Sequence, residues 1–220
     1  MIPYILIFYL LALIVAVATF KKYFDTPLRF FPLLIAYTLF NEILGYFVLH
    51  FEEFSFFDSP EYSWHNVIIY NIYKLFFFGY LLWLYFKLFW KKSHKNLVRS
   101  FALLLGLGYA ISLVFQDPFH TDLFYADSLA CVFMITLILI HFKNLLESNG
   151  SQPSRYNLMV WFGLGMLVFH LYFPFYLLNG YLNVDFFLDY QLRQVLWVIV
   201  CIMYGLFSIG FLISKRRAFR

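Results

Sequence analysis

Charge is scarce in this sequence. Only 13% of its 220 residues are Asp, Glu, Lys or Arg, against about 25% in an average soluble domain. Hydrophobic residues make up 63%, where a soluble domain has about 45–50%. A surplus of that size places the chain among integral membrane proteins. Cysteine is nearly absent. Cys131 and Cys201 both lie in apolar runs, with no CxxC and no metal-ligand spacing, so they read as small buried side chains. Length excludes more. Seven spans of ~20 residues take up ~140 positions, which leaves short connectors and no room for a soluble catalytic or DNA-binding domain. The signatures HExxH and GxSxG, the P-loop and the glycine-rich dinucleotide fingerprint are all missing.

What is present is a succession of apolar runs. They predict an all-α integral membrane protein, a single domain over residues 1–220 built as a bundle of seven transmembrane helices. The spans are Ile2–Phe20, Phe30–His50, His65–Trp90, Phe101–Phe115, Thr121–Phe142, Tyr156–Leu178 and Asp185–Ile213. The first is no signal peptide, because its lysines, Lys21 and Lys22, follow the apolar run instead of preceding it. Span four is the shortest, and its Ala102, Gly106 and Ala110 form a small-residue ladder suited to close helix packing. Asn149-Gly150-Ser151-Gln152-Pro153-Ser154 and Asn179-Gly180 read as breaks between spans.

The few charges are placed with a strong bias. Lys21, Lys22 and Arg29 lie in the first loop, and Lys87, Lys91, Lys92, Lys95 and Arg99 around the third. Lys143 and Arg155 lie in the fifth, and Lys215, Arg216, Arg217 and Arg220 in the tail. These are 14 of the 16 basic residues, all on alternate connections, while the others carry acids such as Glu52, Glu53, Asp58, Glu61 and Asp117. The positive-inside rule then predicts an N-terminus outside and a C-terminus in the cytoplasm of a bacterial inner membrane. The net charge of +4 is a topology signal. It points to the lipid bilayer as partner and not to nucleic acid.

Two basic residues remain inside spans, Lys74 and Arg193. Lys74 sits in Asn66–Phe78, which also holds Asn71, Tyr70 and Tyr73. A charge inside a span costs roughly 2.5–3.5 kcal/mol on insertion scales, so it needs a partner, water or an interface. Counted at 1.5 Å per residue, Glu42, Lys74, His170 and Arg193 all fall about 12–14 Å from the outer ends of their spans. Asp127 and Asp189 lie shallower. On span two, Thr38, Asn41, Glu42, Gly45, Tyr46 and Leu49 share one helical face. Pro174 leaves the carbonyl of His170 without its helical donor, which makes it a candidate hinge.

Two readings of these groups stay open. Taken singly, Glu42–Lys74 is a packing ion pair, Asp189–Arg193 an i,i+4 pair on one helix, and His170 a packing histidine. Taken together, Glu42, Asn71, Lys74, His170 and Arg193 form the polar floor of a pocket in the outer half, taking an amphiphilic ligand. Histidines 50, 65, 120 and 170 all lie toward the outer side, but their spacing specifies neither haem nor metal, and no cofactor is indicated.

The whole chain resembles a group of small, uncharacterised seven-helix bacterial membrane proteins. The likeness rests on Asn41-Glu42-Ile43-Leu44-Gly45-Tyr46, on Tyr70-Asn71-Ile72-Tyr73 and on the Trp161–Phe175 run with its glycines and proline. Similar segments form the membrane-sensing region that precedes some bacterial histidine kinases. The resemblance implies a sensor or accessory subunit acting through a protein partner, since the kinase part is absent. The diacid motif of CAAX-type membrane proteases is not met, because no arginine follows Glu52-Glu53, and span seven has no lysine for a retinal Schiff base. The expected function is therefore a non-enzymatic receptor-like or accessory membrane protein. The alternative is a transporter or channel subunit with Glu42, Lys74 and Asp127 in an ion or proton path. An intramembrane enzyme acting on lipid is the third class.

Overall fold

The computed structural model describes residues 2–57, 66–147 and 154–215. His65, the loop acids Asp58 and Glu61, the Asn149–Pro153 break and the tail residues Arg216, Arg217 and Arg220 lie outside them. Among the described residues there is no strand. The chain forms α1 (Ile2–Ala18), α2 (Phe31–His50), α3 (Val67–Leu88), α4 (Lys92–Phe115), α5 (Phe124–Glu147), α6 (Leu158–Leu182), α7 (Val184–Asp189) and α8 (Leu192–Ile213). Among the described residues, six helical stretches are long and apolar enough to cross a membrane, and α1 is a shorter apolar helix. Such an assembly suggests a multi-pass membrane protein.

Several boundaries depart from the hydropathy pattern, because an apolar run follows the membrane while a helix follows its hydrogen bonds. α4 is 24 residues long, not the shortest span: its helix begins at Lys92, before the apolar run. α6 passes through Asn179-Gly180 without a break, and Pro174 is accommodated inside it. The last apolar run is interrupted, for Gln191 takes left-handed angles (φ 49°, ψ 45°) between α7 and α8.

The helices pack in a ring that follows chain order, α1 to α6 and then α8, which returns to α1; α3 also reaches across to α5. Lys22 helps close the ring. Its ammonium donates to the carbonyls of Phe211 and Leu212 at 3.1 and 2.6 Å, neutralising the negative end of α8. Glycines set the tightest contacts. A Cβ at Gly165 would stand 2.7 Å from the Phe207 ring, and one at Gly210 would stand 2.6 Å from Cβ of Trp161, so α6 and α8 approach as closely as backbones allow. The small residues of α4 do the opposite. Ala102, Gly106 and Ala110 are all exposed, and a Cβ added at Gly106 would meet nothing within 4 Å among the described residues.

Candidate functional site

The core face of α3 carries Asn71, Lys74, Phe78, Leu81 and Tyr85, all buried and spaced at three and four residues, as one helical stripe requires. Lys74 is thus turned into the bundle by the same periodicity that buries the phenylalanine and leucine below it. It is met there by carboxylates. Its ammonium lies 2.7 Å from Asp122 Oδ1 and 2.5 Å from Asp127 Oδ2. The Asp127 side chain is 0% exposed, Lys74 7% and Asp122 24%, so the centre has one sealed anion and one that water reaches.

Two tyrosines complete it. Tyr109 of α4 donates to the second oxygen of Asp127 at 2.7 Å. Tyr181 of α6 donates to Asp122 Oδ2 at 2.8 Å and accepts from the Asp122 backbone N–H at 2.8 Å. Four helices therefore meet on one lysine and two aspartates. Charge-assisted bonds of this kind are roughly twice as strong as neutral ones. With all three side chains ionised, the cluster carries one net negative charge.

Local sequence explains why Asp122 is available. Asn71, one turn before Lys74, donates to the carbonyls of Pro118 and Thr121 at 2.8 and 3.0 Å and accepts from the Leu123 N–H at 3.3 Å. Gln116 donates to the Asp122 carbonyl at 3.2 Å. The α4–α5 connector is tied to α3 by these bonds, and its Asp117 starts a tight turn. The Asp117 carboxylate accepts from the Phe119 N–H at 2.9 Å and pairs with His120 Nδ1 at 2.5 Å. The hydrogen bond from His120, and after it that from Phe119, hold this exposed carboxyl below the usual carboxylate range.

The residues expected to share one pocket are divided among several settings. Asn71 and Lys74 belong to the centre just described. Glu42 is not its counter-ion. It is half-buried on α2 and takes long hydrogen bonds from Tyr9 at 3.5 Å and Tyr70 at 3.4 Å, while Lys74 turns the other way. Helical phase accounts for the split: Tyr70 and Tyr73 lie on the α2 side of Lys74, and Tyr73 bonds Thr38 at 2.8 Å, whereas Asn71 lies on the α5 side.

His170 is fully buried among the rings of Phe77, Phe78 and Phe169. Its Nδ1 lies 2.7 Å from the Met166 carbonyl, and its Nε2 has no partner among the described residues. Arg193 is exposed, and the break at Gln191 removes the single helix on which it was to face Asp189; no ion pair joins these two among the described residues. The Arg193 guanidinium lies near Tyr176 of α6 instead. Two surface grooves, about 600 Å³ between α1 and α8 and about 510 Å³ between α3 and α4, are lined by none of Glu42, Asn71, Lys74, His170 and Arg193. Among the described residues, no three His, Cys, Asp or Glu side chains cluster as a metal site would require.

No family model, curated protein or solved structure significantly matches the chain. Its chemistry is thus read from its own residues. The depth count passed over Asp122, the second residue of the expected span Thr121–Phe142, because it weighed only groups deeper in the spans; the structure starts α5 at Phe124 and leaves Asp122 in the connector. The signal was local all the same, an acid five residues before the buried Asp127. A second buried polar pair lies near the opposite end of the bundle. The Tyr85 and His141 rings are 6.4 Å apart, and the Tyr85 hydroxyl and His141 Nε2 have no partner among the described residues.

Proposed function

We propose that this chain is a seven-crossing protein of a bacterial inner membrane, N-terminus outside and C-terminus in the cytoplasm. In this reading it serves as a receptor-like or accessory subunit whose responsive element is the Lys74–Asp122–Asp127 centre. The observation that carries the reading is the lysine clamped between a sealed and a water-accessible carboxylate. One cation against two anions leaves room for one further positive charge at Asp122, the carboxylate that water reaches. Neutralising Asp122 weakens its hold on Lys74, and with it the Tyr181 link to α6. Pro174, seven residues before Tyr181, gives α6 a weak point about which the change can act. The output would pass to a protein partner at the basic loops, in keeping with the likeness to kinase-linked sensor regions. An amphiphilic ligand at the same end remains compatible with this scheme, although the expected floor is divided.

The unpartnered Tyr85 and His141 atoms favour one second reading, a proton path in a transporter subunit. The test uses the protein in lipid nanodiscs, with spin labels on the outer ends of α3 and α6. Asp122→Asn, which removes the water-accessible charge, is expected to change the label distance relative to the parent protein. A distance unchanged by the substitution rejects the responsive centre. Proteoliposomes that dissipate a pH gradient, and stop when Asp127 is replaced by Asn, would instead establish the transporter reading.

A further inference from the structure

The groove between α3 and α4 is built differently at its two ends. Along its middle it is apolar, bounded by Phe78, Leu82 and Leu105. It stays open because Gly79 and Gly106 line it, and a Cβ added at either would meet nothing within 4 Å. At one end lies Arg99. Its guanidinium sits 5.1 Å from the Phe86 ring centroid, and the Lys95 ammonium sits 5.5 Å from that same ring; Phe86 itself lines the groove. Among the described residues neither cation belongs to an ion pair, and Arg99 has only a 3.5 Å bond to Asn96. At the other end lies Tyr109, ten residues along α4 and so about 15 Å away by helical rise.

We propose that this groove binds one anionic phospholipid, its phosphate between Lys95 and Arg99 and one acyl chain running along Gly79 and Gly106 toward Tyr109. The charge pattern selects this occupant. An apolar helix from a second copy would bury Arg99 without an anion, which is costly, whereas a phosphate satisfies the guanidinium fork directly. Ala102 and Gly106, which line the groove without filling it, then serve to admit a chain of methylenes. The proposal requires insertion in a bilayer and is independent of any role for the Lys74 centre. It does bring the end of the acyl chain against Tyr109, whose hydroxyl holds Asp127.

The purified protein is delipidated, incubated with phosphatidylglycerol or phosphatidylcholine in detergent, and examined by native mass spectrometry. Phosphatidylglycerol should be retained in preference. Arg99→Ala and Lys95→Ala should each lower its retention about fivefold, the equivalent of the ~1 kcal/mol that a basic residue near the surface contributes. Gly106→Leu should block the groove and lower retention with the basic residues intact. Lys87→Ala, an exposed charge on α3 that does not line the groove, should leave it unchanged. Equal retention of the two lipids, an undiminished signal in Gly106→Leu, or an equal loss in Lys87→Ala overturns the proposal. Disruption of an oligomer by Gly106→Leu with lipid retention intact would assign the groove to a second copy and overturn it too. Circular dichroism of each variant separates misfolding from loss of the site.

Discussion

A lysine buried beside two carboxylates is stable only as part of the set. Taking charges out of water costs several kcal/mol per ion, and the pairing offsets that cost only while the partners remain. Lys74→Met would leave Asp122 and Asp127 facing each other without a cation, so it is expected to destabilise the protein by about 3–5 kcal/mol in denaturant titrations. Adding Asp127→Asn to it should recover part of the loss, and the double-mutant cycle should give a coupling energy above about 1 kcal/mol. The same cycle on Glu42 and Lys74 should give a value near zero, since they have separate partners. Additive effects at Lys74 and Asp127 would contradict the clamp. Tyr109→Phe removes one bond to a buried charge and should cost about 1.5–3 kcal/mol.

At the scale of the elements, the pairing of α6 with α8 depends on glycine for distance and not for backbone freedom. Gly210→Ala puts a methyl 2.6 Å from the Trp161 Cβ. The two backbones must part, at a cost of about 1–3 kcal/mol. Gly106→Ala, facing open space, should stay within about ±0.5 kcal/mol; equal effects in melting experiments would refute the packing role. The turn before α5 carries the pH dependence that can be read outside the helices. Asp117 is held below the ordinary carboxylate range in the folded protein. Its contribution is therefore complete above that range and is lost as pH falls through the lowered value. Because the carboxylate is half exposed, the effect is local and small. Hydrogen exchange at Thr121, whose N–H bonds the Asp117 carbonyl at 2.8 Å, should accelerate in strong acid. In Asp117→Asn it should lose that acid limb; an unchanged profile would show that the carboxylate does not hold the turn.

For the whole molecule, the ring order places every second connection at the same end. The lysines and arginines of the loops are gathered there, and Lys22 joins the first helix region to the last. The positive-inside rule turns this polarity into a topology. Reporter fusions after Lys95 and after Arg220 should both behave as cytoplasmic, and a reporter at Glu53 as periplasmic. A periplasmic signal from either basic site would invert the proposed orientation, and with it the side from which Asp122 is reached.

Composition and periodicity were enough to establish the helices, their approximate number and the need of Lys74 for a partner, water or an interface. Each of these depends on residues close in sequence, through hydrogen bonds four residues apart and the phase of a helical stripe. The partner of Lys74 depends on something else. Depth and phase are the same for Glu42 as for a counter-ion, yet the lysine turns toward α5, because Asn71 ties the α4–α5 connector to α3 and delivers Asp122 and Asp127 together. The break at Gln191 was hidden for a related reason: the stretch Asp189-Tyr190-Gln191-Leu192-Arg193-Gln194 reads equally well as an i,i+4 ion pair on one continuous helix, and only the backbone angles show the interruption. Likewise the small residues of α4 announced a close contact without saying with what, and only the packed bundle leaves them open beside Arg99. Sequence sets which way a side chain points on its own helix; which neighbour stands there is decided by how loops and glycines let the helices approach.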